Sequence, residues 1–158
     1  MHYIDGFVLP VPRANLQAYR EVAEAAGKVW MEYGALQYWE CAGDDVPMGK
    51  LTSFPQAVQL KEGEIVFFSW IVYASRAERD RINAAVMKDP RIASMDPATM
   101  PFDAKRMFWG GFESVVELGA TARQPRSGRP GRRIRQAWCP GRAGAAPRTG
   151  TRRWPRTH

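Results

Sequence analysis

The sequence predicts an α+β domain of order β-α-β-β-α-β over residues 1–119, followed by a tail of different character. Three observations carry this. Short, β-prone apolar runs stand at residues 3–9, 35–41, 64–73 and 106–118. Two stretches with apolar residues at helical spacing follow the first and third runs. Composition breaks at Gly119: residues 1–119 carry 12 Lys and Arg against 16 Asp and Glu, whereas residues 120–158 carry 11 Arg and no acid, together the net charge of +7. The basic balance therefore belongs to the tail, and the domain is acidic.

Residues 3–9 form a first strand closed by Pro10 and Pro12. Pro12-Arg13-Ala14-Asn15 opens a helix in which Leu16, Tyr19, Val22, Ala23, Ala26, Val29, Trp30 and Tyr33 recur at helical spacing, and Gly34 stops it. Residues 35–41 read as the second strand. A polar loop follows over 43–54, then a short helical turn at 55–60 and a turn at 61–63. Residues 64–73 are the strongest strand, apolar on both faces and hence central. Ser75 and Glu78 make a capping-box pattern for a second helix that runs to about Lys88 and stops before Pro90. A Met- and Pro-rich loop spans 89–103. In the last strand, Gly110-Gly111 signals a bulge or a close backbone approach.

This order is the ferredoxin-like split arrangement. Two helices cover one face of a four-stranded antiparallel sheet and leave the other bare. An apolar bare face does not stay in water. Two such sheets packed face to face close a barrel, so a homodimer with a dimeric α/β-barrel architecture is expected.

Several strings carry a resemblance. Y-I-D-G-F-V-L-P-V-P at 3–12, G-K-V-W at 27–30, E-C-A-G-D-D-V-P at 40–47, G-K-L-T-S-F-P at 49–55, F-S-W-I-V-Y at 68–73 and M-P-F-D-A-K-R-M at 100–107 are similar to the YbaA-like family, domain of unknown function 1428. The resemblance covers residues 1 to 118. It implies a dimeric α/β barrel and supplies no reaction. The chain departs from the family after Leu118. Arg without Lys, mixed with Pro, Gly and Ala, is what a GC-rich coding region gives in a shifted frame. The tail, residues 120–158, is too poor in aliphatic residues to offset chain entropy, so disorder is expected. Its other reading is an arginine-rich arm that binds RNA or DNA, with Trp138 and Trp154 stacking on bases.

Cys41 and Cys139 fall on opposite sides of the break, which excludes an intradomain disulfide framework and suits a reducing compartment. No signal peptide and no apolar run of ~20 residues is visible. A cytoplasmic protein is expected. His2 and His158 are the sole histidines, which argues against a His-based triad, His metal site or proximal-His haem site. No CxxC, HExxH, P-loop or GxGxxG string occurs, and no cofactor is expected.

Counting by twos along the strands gives one candidate pocket. Tyr3, Asp5 and Phe7 share a face of the first strand, and Tyr38 and Glu40 share one of the second. Ile65, Phe67, Ser69, Ile71 and Tyr73 share a face of the third, and Met107, Trp109 and Glu113 of the fourth. If these parities meet, Tyr3, Asp5, Tyr38, Glu40, Ser69, Tyr73, Trp109 and Glu113 line a barrel interior suited to acid/base work or ligand binding. In the bland alternative, the acids pair with Arg76, Lys105 or Arg106 across a dimer interface, or face solvent. Asp44-Asp45 is a weaker candidate for a hard cation, against solvated or capping loop acids. Residues 49–53 are an anion-holding loop or a simple turn. The charged run Arg76, Glu78, Arg79, Asp80, Arg81 reads as a solvated helix face. Tyr19, Trp30 and Tyr33 read as core, and Cys41 as a buried small hydrophobe.

Three functions follow from different classes. One is a cofactor-independent small-molecule binder or enzyme using the barrel interior. The second is a non-catalytic dimeric interaction or stress-related protein. The third is nucleic-acid binding through the tail. Catalysis itself stays open.

Overall fold

The computed structural model describes residues 1–119. The expected disordered arm and its nucleic-acid contacts lie outside the described residues. Four strands and four helices follow in the order β1 (Tyr3–Pro12), α1 (Leu16–Glu32), β2 (Gln37–Ala42), α2 (Phe54–Ala57), β3 (Glu64–Tyr73), α3 (Arg76–Val86), α4 (Pro90–Ala93) and β4 (Phe108–Glu113). The strands form one antiparallel sheet in the order β2-β3-β1-β4. This is the α+β, ferredoxin-like arrangement.

Local sequence explains most boundaries. Ser53 and Ser75 each accept an N–H bond from the residue three positions on, Gln56 and Glu78, and so start α2 and α3. β1 runs through Pro10 and Pro12, further than expected. Its pairing with β4 ends at Val8 opposite Phe108, and beyond that point one side of β1 is an open edge that tolerates proline. The stretch expected as loop holds α4 and a 3-10 turn at Pro97–Thr99. Asp89 and Asp96 cap them, and the prolines that follow are preorganised for a first helical position. β4 stops at Glu113, well short of residue 118, and Ser114 turns to donate its N–H to the His2 carbonyl.

Packing differs between the two sheet faces. On one face, Leu9, Val11, Ile65 and Phe67 meet Tyr19 and Ala23 of α1, and Ile71 and Tyr73 meet Val29, Ile82 and Val86 of α1 and α3. On the other, Val8 and Val66 are covered by Val58, Val46 and Leu60. The rest of that face is bare: Trp39 is 52% exposed and Phe112 61%, beside Phe68 and Phe108. Trp39 stacks on Trp70 with ring centroids 5.8 Å apart. Cys41 belongs to this face, half-buried opposite Phe68, and not to the core.

Arg106 fastens the approach to β4. Its guanidinium donates to Glu64 at 2.6 and 2.8 Å, to Asp103 at 2.8 Å and to the Gln59 carbonyl at 3.0 Å. Gln59 has a φ of 50°, in the left-handed region, so this bond holds a turn that its side chain disfavours. The Arg106 hydrogen bonds hold the Glu64 carboxyl below its ordinary 4.5. The folded-state value is thus lower than the unfolded one. The stability it contributes is complete above the ordinary carboxylate range and is lost as pH falls through the folded value. Arg106→Ala is expected to cost about 3 kcal/mol in urea unfolding at neutral pH, because it strands a largely buried carboxylate. Glu64→Gln should start less stable than the parent and lose less stability on acidification.

Candidate functional site

The register brings the predicted parities onto one face. Ser69 of β3 lies opposite Glu40 of β2 and Phe7 of β1, and Phe7 lies opposite Trp109 of β4. One row on, Ile71 lies opposite Tyr38 and Asp5, and Asp5 opposite Gly111. In the third row Tyr73 faces Tyr3, and Tyr3 faces Glu113. The expected location needs correction. This face lies beneath α1 and α3 of its own chain, not between two sheets. Both faces are apolar, and the helices settle on the one where Asp5, Glu40 and Ser69 find hydroxyl, amide and guanidinium partners.

Glu40 is held by three hydroxyls from three elements. Tyr19 of α1 donates to its Oε2 at 2.6 Å, and Tyr38 of β2 donates to Oε1 at 2.9 Å. Ser69 of β3 also donates to Oε2. Burial first, and the Glu40 charge second, push both tyrosine hydroxyls well above their ordinary range, so they stay protonated as donors. Among the described residues no cationic side chain pairs with Glu40.

Asp5 is treated differently. It is 2% exposed and accepts from Arg79 Nε at 2.9 Å and from Asn83 Nδ2 at 3.1 Å. The Asn83 carbonyl in turn accepts from Tyr73 and from the Trp30 indole, each at 3.0 Å. The Arg79 guanidinium lies 5.0 Å above the Tyr3 ring centre. Gly111 makes this approach feasible, since a Cβ there would strike Tyr3 Oη and Arg79 Nη2. Gly111 therefore serves a close approach, and the β1–β4 register runs through the glycine pair without a bulge.

A cavity of about 440 Å³ lies between these clusters. Phe7, Tyr19, Trp30, Ile71 and Phe102 wall it, with Met95, Met100 and Met107 on the side of the α4 segment. Met87 and Trp109 line it and are also exposed, which marks its opening to solvent. A second cleft, outside α1 and β2, shares Tyr19, Tyr38 and Glu40 with it. Glu113 is exposed at its strand end and does not line the cavity; Tyr3 is taken up by Arg79.

Within the one chain, Arg76, Lys105 and Arg106 do not pair with Asp5, Glu40 or Glu113 among the described residues. Arg76 is exposed at the first position of α3, whereas Arg79, one turn on, points at the sheet. Lys105 is exposed, and Arg106 is committed to Glu64 and Asp103. Asp44 and Asp45 are both exposed, and no cluster of three metal-ligating side chains occurs among the described residues. Sequence reasoning missed Asn83 and misplaced Arg79. The signal was present: Arg79, Ile82, Asn83 and Val86 share one helical stripe, and polar residues on a buried stripe need partners.

Residues 2–104 match the family described as Protein of unknown function (DUF1428). The chain is 49% identical over 117 residues to the uncharacterized protein YbaA of Escherichia coli (strain K12), covering 74% of this chain and 99% of YbaA. It is similar to the solved structure of Rv0793 from Mycobacterium tuberculosis at 13% identity and a TM-score of 0.48, covering 75% of this chain and 100% of that one. It is also similar to an uncharacterized NIPSNAP domain protein from Burkholderia xenovorans, at 12% identity and a TM-score of 0.46, covering 74% and 98%.

Gly27 provides the test of the Glu40 cluster. A Cβ added there would stand 2.7 Å from Cδ1 of the Tyr38 ring. Alanine normally improves a helix interior by about 1 kcal/mol over glycine. Here Gly27→Ala is expected to destabilise the fold by about 1–2 kcal/mol in urea titration, because the crowding outweighs the propensity gain. Net stabilisation would show that the ring is free to move away from Glu40.

Proposed function

This chain belongs to the YbaA-like family of proteins of unknown function, DUF1428, and we propose that its sheet–helix cavity binds a small, largely apolar molecule with Glu40 as the polar anchor. One observation carries this: a carboxylate oriented by three hydroxyls forms part of the wall of a largely apolar space of about 440 Å³. That volume falls in the range of about 300–1,000 Å³ usual for small-molecule sites. A carboxylate offers roughly four acceptor positions, and three are taken, so one is left for a donor on the ligand. Donors from α1, β2 and β3 fix the carboxylate before any ligand arrives. The same oxygen is placed to take a proton from a bound donor, the step that would turn binding into catalysis.

Protein-observed NMR with single-ring alcohols and amines tests the pocket. Saturable shifts at the amides of Tyr38, Ser69 and Asn83 are expected, and Phe102→Arg should abolish them by filling the cavity. The absence of saturable shifts there for every fragment would overturn the proposal.

We further propose that the bare sheet face binds a second copy of the chain. Trp39, Phe68, Trp70, Phe108 and Phe112 share it, and its one charged residue, Glu64, sits at the end of β3 and is neutralised by Arg106. An apolar surface without charge is self-complementary across a two-fold axis. The free thiol of Cys41 supports a reducing, cytoplasmic setting, and no helix among the described residues is long and apolar enough to cross a membrane. In analytical ultracentrifugation the full chain should sediment at twice its 17.8 kDa mass. Trp39→Glu should sediment as a monomer with unchanged far-ultraviolet circular dichroism. A monomeric parent protein would contradict the dimer.

A further inference from the structure

We infer that the ligand of this cavity is an organic cation: a ring-sized apolar body carrying an amine or quaternary ammonium group, its charge seated against Glu40. The inference rests on the pocket proposed above and adds the chemical class of the occupant.

The charges around the cavity do not balance. Among the described residues, Asp5 and Glu40 are the ionisable carboxylates that line it, and no Lys, Arg or His does. Asp5 is neutralised by Arg79 at 2.9 Å, whose side chain is itself largely buried. Glu40 has hydroxyl partners instead. Three hydroxyl dipoles orient and stabilise a carboxylate, but they leave its charge in place. Arg20 and Lys28 line the outer cleft, where Lys28 pairs with Glu24 at 2.8 Å, and neither is within ion-pair distance of Glu40. A charge partly withdrawn from water without a counter-charge is unfavourable. A cation entering the cavity supplies that counter-charge, and an anion is repelled.

The walls fit the same class of ligand. Phe7, Tyr19, Trp30, Phe102 and Trp109 line the cavity, and aromatic ring faces attract cations, most strongly where water is excluded. The thioethers of Met95, Met100 and Met107 add polarizable surface that adapts to the ligand body. An uncompensated carboxylate within aromatic walls is the arrangement that separates an amine from the alcohol of the same shape.

Three ligands with one aromatic body and three charges test this on the full chain: 2-phenylethylamine, 2-phenylethanol and 3-phenylpropanoate, each titrated by NMR with shifts read at cavity amides. The amine is expected to bind at least about tenfold more tightly than the alcohol, with the propanoate weakest. Glu40→Gln keeps the size and one acceptor oxygen while removing the charge, and should bring amine and alcohol within about threefold of each other. Should that variant not fold, raising sodium chloride on the parent protein should weaken the amine and leave the alcohol unchanged. An alcohol that binds the parent as tightly as the amine would overturn the cation and leave the pocket standing. A preference that persists in Glu40→Gln, or that ignores salt, would overturn Glu40 as its seat. Binding of none of the three would overturn the pocket itself.

Discussion

Ten residues of β1 pair with ten of β3, from Tyr3 opposite Tyr73 to Pro12 opposite Glu64. Because side chains alternate along a strand, this one register sends Asp5, Phe7, Ser69 and Ile71 towards the helices, and Val8, Phe68 and Trp70 away from them. A slip of β1 by one residue would turn its side chains over relative to β3. It would carry Asp5 away from Arg79 and Asn83 and bring Val8 to the helix side. β2 and β4 add to the central pair in the same parity, so Glu40 and Trp109 arrive on the Asp5 face without further specification. The site is therefore a property of the sheet, completed by Tyr19 and Trp30 from α1 and by Arg79 and Asn83 from α3.

Two carboxylates on that face receive opposite treatment. Asp5 is surrounded by a guanidinium and an amide, and Asn83 extends the network to Tyr73 and Trp30. Such a closed network ties α3 to β1 and β3 and serves the fold, and removing any member would strand the others. Among the described residues Glu40 receives hydroxyls alone. No cationic side chain described lies within ion-pair distance of it, and it fronts both the inner cavity and the outer cleft. A protein that needed only structure at this position would gain by an arginine beside it or an apolar residue in its place. The retained charge is the feature that points to a ligand.

Much of this was legible in the sequence, for identifiable reasons. Counting by twos is reliable where strands are long, which is why the residues of β1 and β3 sort correctly. The capping signals of Ser75 and Ser53 are local and survive folding. What the sequence did not show is which face the helices cover. Trp39, Phe68 and Phe112 look as core-like as Phe7 and Phe67, so hydropathy alone cannot rank the two faces. The partner of Asp5 was equally obscure. Arg76, Arg79 and Arg81 lie within two turns of one helix, and choosing among them requires the rotation of α3 against the sheet. The end of β4 was overrun because Val115, Val116 and Leu118 are apolar yet exposed, and no strand among the described residues pairs with them.

The central claim is that Glu40 stands in the cavity as a carboxylate held, among the described residues, by donated hydroxyls alone. Neutron diffraction from a deuterated crystal tests it most directly, since it locates the hydrogens. The predicted result is three deuterons, on Tyr19 Oη, Tyr38 Oη and Ser69 Oγ, each directed at Glu40, with none on its own oxygens. A deuteron bound to Glu40, with one of the three hydroxyls turned to accept it, would make the group a neutral acid. That would contradict both the charge imbalance of the cavity and the cation inferred from it.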